Sequence, residues 1–164
     1  MAQWRGHTYH DILAWKAAQI AHWYHNALLV VESNTYETEF TEGDGSAYIL
    51  DIVSSVYSNF YSRMPSASNP SIDRRIGFHT NRRTKEQVVY SMMRIIRDHL
   101  YIEHDSLALD ELSVYERQHN GTYGAMKGQH DDILMTRCIG LYIAQEENKK
   151  NSSRFTSDFL KRQY

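Results

Sequence analysis

Residues 127–138, "KGQHDDILMTRC", place His130, Asp131 and Asp132 directly before an apolar run. Ile133, Leu134, Met135, Cys138, Ile139, Leu141, Tyr142 and Ile143 return every three or four positions, the spacing of a helix with one face in a core. The acids therefore stand at a helix N-terminus, on the rim of something packed. Two roles suit them. Carboxylates in a first turn complement the positive end of the helix dipole and cap its free N–H groups, each contributing about 0.3–1 kcal/mol. Alternatively, rigid backbone holds them for a hard divalent cation that solvent can still deliver. His130 could orient an aspartate, act as a proton carrier, or simply cap the helix.

A third carboxylate is placed by a different pattern. "ALLVVES" is a continuous apolar run too short for a helix, which suits a strand buried on both faces and ending at Glu32. In layered α/β folds, sites lie at the carboxyl ends of strands, although a glutamate there is also the ordinary first solvated residue. Ser33, Asn34 and Thr35 follow it and could orient its carboxylate by hydrogen bonds. Carboxylates on two rigid elements far apart in sequence are how hard divalent cations are usually gathered.

The elements that must position these groups alternate. "AQWRGH" reads as a short strand, and Thr8 with Asp11 resembles a capping box before a helix from Asp11 to Asn26. After the strand ending at Glu32 come a polar loop, a helix within "SAYILDIVSSVYSNF", and a loop, "PSASNPS", that holds both prolines. "RIGFHTN" reads as extended. Thr84 with Glu86 opens a helix to about Leu100, built on Val88, Val89, Met92, Met93, Ile95 and Ile96. "LYIEHD" is expected as a strand, "ALDELSVYERQ" as a helix or a turn of one, and "HNGTYGAMKGQ" as a glycine-bearing loop. Beyond Glu147 the composition turns polar, so residues 1–147 form the expected domain and 148–164 a polar C-terminal tail, mobile or with one last helical turn. This rhythm of strand and helix predicts an α/β or α+β layer fold.

Composition narrows the function classes. At 164 residues, 41% hydrophobic, the chain can bury one ordinary core. A net charge of −2 excludes a strongly basic nucleic-acid glue but not a local basic face. The single cysteine, Cys138, excludes a disulfide framework and a cysteine zinc site, and points to a reducing compartment. No apolar stretch is long enough for a bilayer and the N-terminus lacks a signal-peptide core, so a soluble cytoplasmic protein without membrane partners is expected. His22, His25 and His79 follow no zinc spacing, and neither a Walker loop nor a nucleophile elbow is present.

Arg74, Arg75, Arg82, Arg83, Lys85, Arg94 and Arg97 concentrate in one quarter of the chain. Phosphate binding uses such clusters; a solvated helix face explains Arg94 and Arg97 equally well. Lys127 could touch a phosphate or be simply solvated. Most of the twelve tyrosines, among them Tyr90 and Tyr142, are read as core or rim packing.

"LLVVESNT", "IGFHTNRRTKEQVVYSMMRIIRD", "LALDELSVYE" and "GTYGAMKGQHDDILMT", in that order, resemble the nuclease half of the large terminase subunit of tailed bacteriophages. The likeness runs from Ala2 to Ile143. It implies a ribonuclease H-like mixed sheet flanked by helices, with three acids holding two Mg²⁺ or Mn²⁺ ions for cutting concatemeric double-stranded DNA. By this resemblance Glu32 matches the acid at the end of the fourth strand. Asp131 and Asp132 match the acid or acids opening the last helix, Asp132 being slightly favoured. Arg82, Arg83, Lys85 and Lys127 become candidate DNA contacts, and the portal and small terminase subunit become partners of the parent complex.

The departure from that pattern concerns the first acid. The family carries an aspartate on its first, central strand, whereas this chain begins at a segment resembling the third. Asp51, Asp44 and Glu37 are available as substitutes, and nothing in the sequence selects among them. A piece lacking its first strands would expose hydrogen-bonding edges, which makes a homodimer plausible. Weak or no cutting by the isolated chain is expected. Two classes of function follow: a metal-dependent endonuclease domain, or a non-catalytic nuclease-fold module that binds DNA or packaging partners.

Overall fold

Ala14, Ala18 and Ala21 recur at helical spacing, and side chains this small let a helix backbone approach its neighbours closely. They form the buried face of α1 (His10–Trp23). A computed structural model describes residues 6–33, 52–63 and 75–161, and divides the chain into two compact units, Met1–Thr80 and Asn81–Tyr164. The fold mixes helix and strand, with small antiparallel pairings.

In the first unit, Ala14 packs on Val53, and Ala18 and Ala21 pack with Tyr57; Leu13, Leu29, Ile52 and Val56 fill in around them. Val53 lies in the helical residues 52–56, here α2. The Tyr57 hydroxyl donates to the Ala27 carbonyl, which ties α2 to the chain leaving α1. Leu29 and Glu32 make isolated parallel bridges to Phe60 and Phe78, while β1 (Ser62–Arg63) pairs antiparallel with β2 (Arg75–Ile76).

Two local expectations change in this unit. The N-cap of α1 is Tyr9, with no side-chain cap; the Asp11 carboxylate accepts from the Ile12 N–H at 2.8 Å, so Thr8 and Asp11 form no capping box. Leu28 is exposed and Leu29 to Val31 only partly buried, so "ALLVV" is not a strand covered on both faces. The strand expected in "AQWRGH", the start of the middle helix and the "PSASNPS" loop fall outside the described residues, apart from Gly6 and His7.

The second unit is built on α3 (Arg82–Arg97), whose buried stripe is Val88, Val89, Met92 and Ile95. Asn81 sets its start. The Asn81 side chain accepts from the Thr84 N–H at 3.0 Å, and the Thr84 hydroxyl accepts from the Asn81 N–H at 2.8 Å. Two otherwise orphaned donors are thereby satisfied, which is why the helix opens two residues before the expected Thr84. Replacing Asn81 by alanine is expected to cost about 0.5–2 kcal/mol, the range for losing such a cap; a urea midpoint unchanged from wild type would contradict it. The helix ends where His99 adopts φ +54° and the Leu100 N–H bonds the Ile95 carbonyl at 3.0 Å. Met93 and Ile96, expected in the core, are 54% and 39% exposed.

After α3 the segment 100–105 forms no strand, contrary to expectation; its fixation comes from side chains described below. α4 (Ser106–Ser113) follows, capped by the Asp105 carboxylate on the Leu107 N–H. β3 (Tyr115–Arg117) and β4 (Tyr123–Ala125) then form an antiparallel hairpin, replacing the end of the expected helix and part of the expected loop. α5 (Asp132–Lys161) packs on α3 and α4 through Ile133, Leu134, Met135, Cys138, Ile139 and Ile143, and continues through the polar residues after Glu147. Burying each such aliphatic side chain contributes about 1.5–3 kcal/mol. Among the described residues, no helix is long and apolar enough to cross a membrane.

Candidate functional site

Asp131 is the residue from which α5 starts: its carbonyl accepts the Met135 N–H at 2.8 Å. Its carboxylate turns to α3, where the Lys85 ammonium lies 3.1 Å from Oδ2, both side chains being about three-quarters buried (27% and 25% exposed). Lys85 also stands 5.8 Å above the Tyr115 ring. Burial, then the negative Asp131, raises the Tyr115 hydroxyl well above the usual phenol value. Burial likewise pushes the Cys138 thiol up to about 12, with Asp131 adding to the shift. Cys138 is therefore an inert core thiol, as its place in the apolar run implies.

Asp132 is far more open, with 72% of its side chain exposed and His130 Nδ1 at 3.9 Å from Oδ2. His130 precedes the helix as an exposed residue, so its imidazole reaches Asp132 from solvent. Lys127 is also exposed, in the turn where the Gln129 N–H bonds the Met126 carbonyl at 2.9 Å. Arg82 pairs with Glu86 at 3.6 Å, one turn along α3. Its guanidinium and that of Arg117 both approach the Gly121 turn of the hairpin, 3.5 and 3.9 Å from where a Cβ would stand. Arg83 lies on the same first turn of α3, exposed.

Glu32 belongs to the first unit. It is exposed and bridged to Phe78 on extended backbone. Ser33 does not serve it as expected: the Ser33 hydroxyl donates to the Phe78 carbonyl at 3.3 Å and the residue is buried. Asn34 and Thr35, like the alternative acids Glu37, Asp44 and Asp51 and the basic Arg74, lie outside the described residues. Arg94 donates to Gln145 at 2.8 Å and Arg97 to Asp98 at 3.0 Å, the helix-face reading of those two.

The second unit thus brings together Lys85 with Asp131 and His130 with Asp132, at the N-terminal turns of α3 and α5. Among the described residues, no group of three or more His, Cys, Asp or Glu is gathered closely enough to hold a metal ion. Two residues around the acids were not singled out from sequence. Glu111 of α4 is 7% exposed and accepts the Leu134 N–H at 2.8 Å. Arg137 of α5 donates to Glu103 at 3.1 Å and to Asp105 at 3.3 Å, with its side chain 12% exposed. The only sequence signal for Glu111 is its spacing of three from Ala108, which puts an acid on the buried face of α4.

Comparison with known proteins finds no matching family model, no matching curated protein and no matching solved structure.

Proposed function

We propose that the chain is part of a ribonuclease H-like, metal-dependent DNA endonuclease domain of the phage terminase type, in which Asp132 and Asp131 are acidic ligands. The observation that carries this reading is the start of α5. One acid, Asp131, is held against Lys85, and the next, Asp132, is exposed beside His130. The donors fit Mg²⁺ or Mn²⁺ in kind, since both ions prefer carboxylate oxygens and retain waters. When bound, such ions make an attacking water more acidic and stabilise the leaving oxygen of the phosphodiester.

The residues of the chain have distinct tasks in this scheme. Asp132 presents an oxygen donor from rigid helix, and His130 at its side accepts or delivers a proton near the scissile phosphate. Lys85 neutralises Asp131 until a cation competes for that carboxylate. Arg82, Arg83 and Lys127 contact backbone phosphates of double-stranded DNA, which gives binding that weakens steeply with salt. In the parent assembly, located in the host cytoplasm, the partners are the portal and the small terminase subunit.

Plasmid nicking in Mn²⁺ tests the reading. Wild-type chain is expected to nick slowly, and Asp132→Ala to lower the rate by at least about tenfold, a rise of about 1.4 kcal/mol in the barrier. Nicking that is indifferent to Mn²⁺ or to the substitution overturns it. Salt-sensitive DNA retention with no nicking at all replaces it by the non-catalytic module.

A further inference from the structure

We infer that Glu111 is a positioning residue, which caps α5 from a neighbouring helix and so lets the Asp131 carboxylate turn toward Lys85 at the candidate site. This rests on the reading of Asp131 and Asp132 as metal ligands. A helix leaves its first N–H groups without intrahelical partners, and the usual remedy is the side chain of the N-cap residue itself. An aspartate at that position, such as Asp131, is well suited to the task. Here its Oδ2 faces Lys85 on α3 instead.

The Leu134 N–H, in the third position of α5, is taken by Glu111 Oε2 at 2.8 Å, across 23 residues of sequence. Glu111 comes from α4, on the face that also buries Ala108 against α5. Placing a carboxylate where the residue is 7% exposed carries a desolvation cost that a local Asp, Asn or Ser cap would avoid. The cost is offset by a charge-assisted bond and by the positive end of the α5 dipole. A remote cap of this kind separates two duties. Glu111 fixes the height and rotation of the first turn, and the Asp131 carboxylate is not spent on capping it.

The reach of the Glu111 side chain, rather than its charge, is what this role requires. Glu111→Gln keeps both the length and an acceptor oxygen; Glu111→Asp keeps the charge and is one methylene too short. Mn²⁺ binding to the full-length chain is to be titrated by electron paramagnetic resonance for wild type, E111Q, E111D and D132A. Exchange of the Leu134 amide proton is to be followed in the same samples. E111D is expected to weaken Mn²⁺ binding about tenfold, as loss of an outer support for a metal ligand does, and to unprotect the Leu134 amide. E111Q is expected to keep the amide protected and the affinity within about twofold, because a neutral acceptor makes a weaker but similarly placed bond.

Three results would overturn the proposal. If D132A weakens Mn²⁺ binding while E111D does not, Glu111 positions nothing and the ligand reading stands. If E111Q loses as much affinity as E111D, charge is what matters and the cap is incidental. If D132A binds Mn²⁺ like wild type, the ligand reading itself fails, a result separable from the other two. Because E111Q preserves the side-chain shape, its outcome decides even where the shorter variant loses the fold.

Discussion

Arg137→Met is expected to destabilise the second unit by about 3–5 kcal/mol, the cost of removing one partner from a buried ion pair. Arg137 lies in the second turn of α5 and reaches two carboxylates, Glu103 and Asp105, that precede α4. Methionine fills much of the same volume, so the loss comes from two acids left without their cation. The Tyr101 hydroxyl donates to the same Glu103 carboxylate, and the Asp105 N–H donates to its other oxygen at 2.9 Å. Burial, then the bond to Glu103, pushes the Tyr101 hydroxyl up to about 12.

The same network fixes the sign of a pH dependence. Burial alone would raise the Glu103 carboxyl, but the bonds from Tyr101, the Asp105 N–H and Arg137 outweigh it and hold it below the ordinary value. A folded-state pKa below the unfolded one stabilises the protein above the unfolded value, about 4.3 for glutamate, and the contribution is lost as pH falls through the folded value. Wild type and Arg137→Met should therefore differ most near neutral pH and converge below about pH 4. Lysine at 137 should fall between them, since a point charge cannot serve both carboxylates as a planar fork does. Urea unfolding of the three proteins at several pH values is the measurement, and a gap constant down to pH 3 would refute the assignment.

What the sequence made legible, and what it did not, follows the range of the forces involved. The helix after Asp131 was readable because Ile133, Leu134, Cys138, Ile139 and Ile143 repeat at the period of a helix, and all are buried. Cys138 as a core residue was readable for the same reason. Periodicity does not report how wide a buried stripe is. Met93 and Ile96 share the pattern of α3, yet they border a cavity of about 180 Å³ with Leu112 and Tyr115 instead of filling the core.

Non-local partners were beyond periodicity altogether. Lys85 was readable as a candidate phosphate contact, but its pairing with Asp131 spans 46 residues. No local rule selects one lysine among the cations of that region. The segment "LYIEHD" looks like a strand because Tyr101 and Ile102 favour extended backbone. It forms no ladder, being held through Glu103 and Asp105 to Arg137. The hairpin strands have three residues each, too few to show an alternation. Placing Glu32 at the exposed end of an apolar segment needed only the run of apolar residues before it, while the hydrogen bond that turns Ser33 away from it involves Phe78, 45 residues on.

Gly77→Ala is the second large effect expected, and it bears on Glu32 without altering any acid. Gly77 has φ +88°, a left-handed backbone that L-residues occupy at a cost of about 1–2 kcal/mol. A Cβ there would stand 2.7 Å from the Val31 carbonyl oxygen and 2.9 Å from the Ser33 Cβ. Neither neighbour yields cheaply. The Val31 carbonyl accepts the Phe78 N–H at 2.7 Å, and the Ser33 N–H donates to the Phe78 carbonyl at 2.8 Å, so both sides of the contact belong to one bridge. Relief requires the backbone at Val31–Ser33 to part from Phe78, which breaks the bridge that fixes Glu32. The strain and the lost bonds together come to about 3 kcal/mol, each bond contributing about 1 kcal/mol. Thermal unfolding should register the loss, and the amide protons of Ser33 and Phe78 should lose protection from exchange. Gly140→Ala is the control. Gly140 lies inside α5, where an added Cβ meets nothing within 4 Å beyond its own stretch of helix, so alanine should stabilise the helix there by about 0.5–1 kcal/mol. Opposite signs from the same substitution would tie the first effect to the contact with Val31 and Ser33. Equal and small effects would mean that the backbone carrying Glu32 is not held by Phe78.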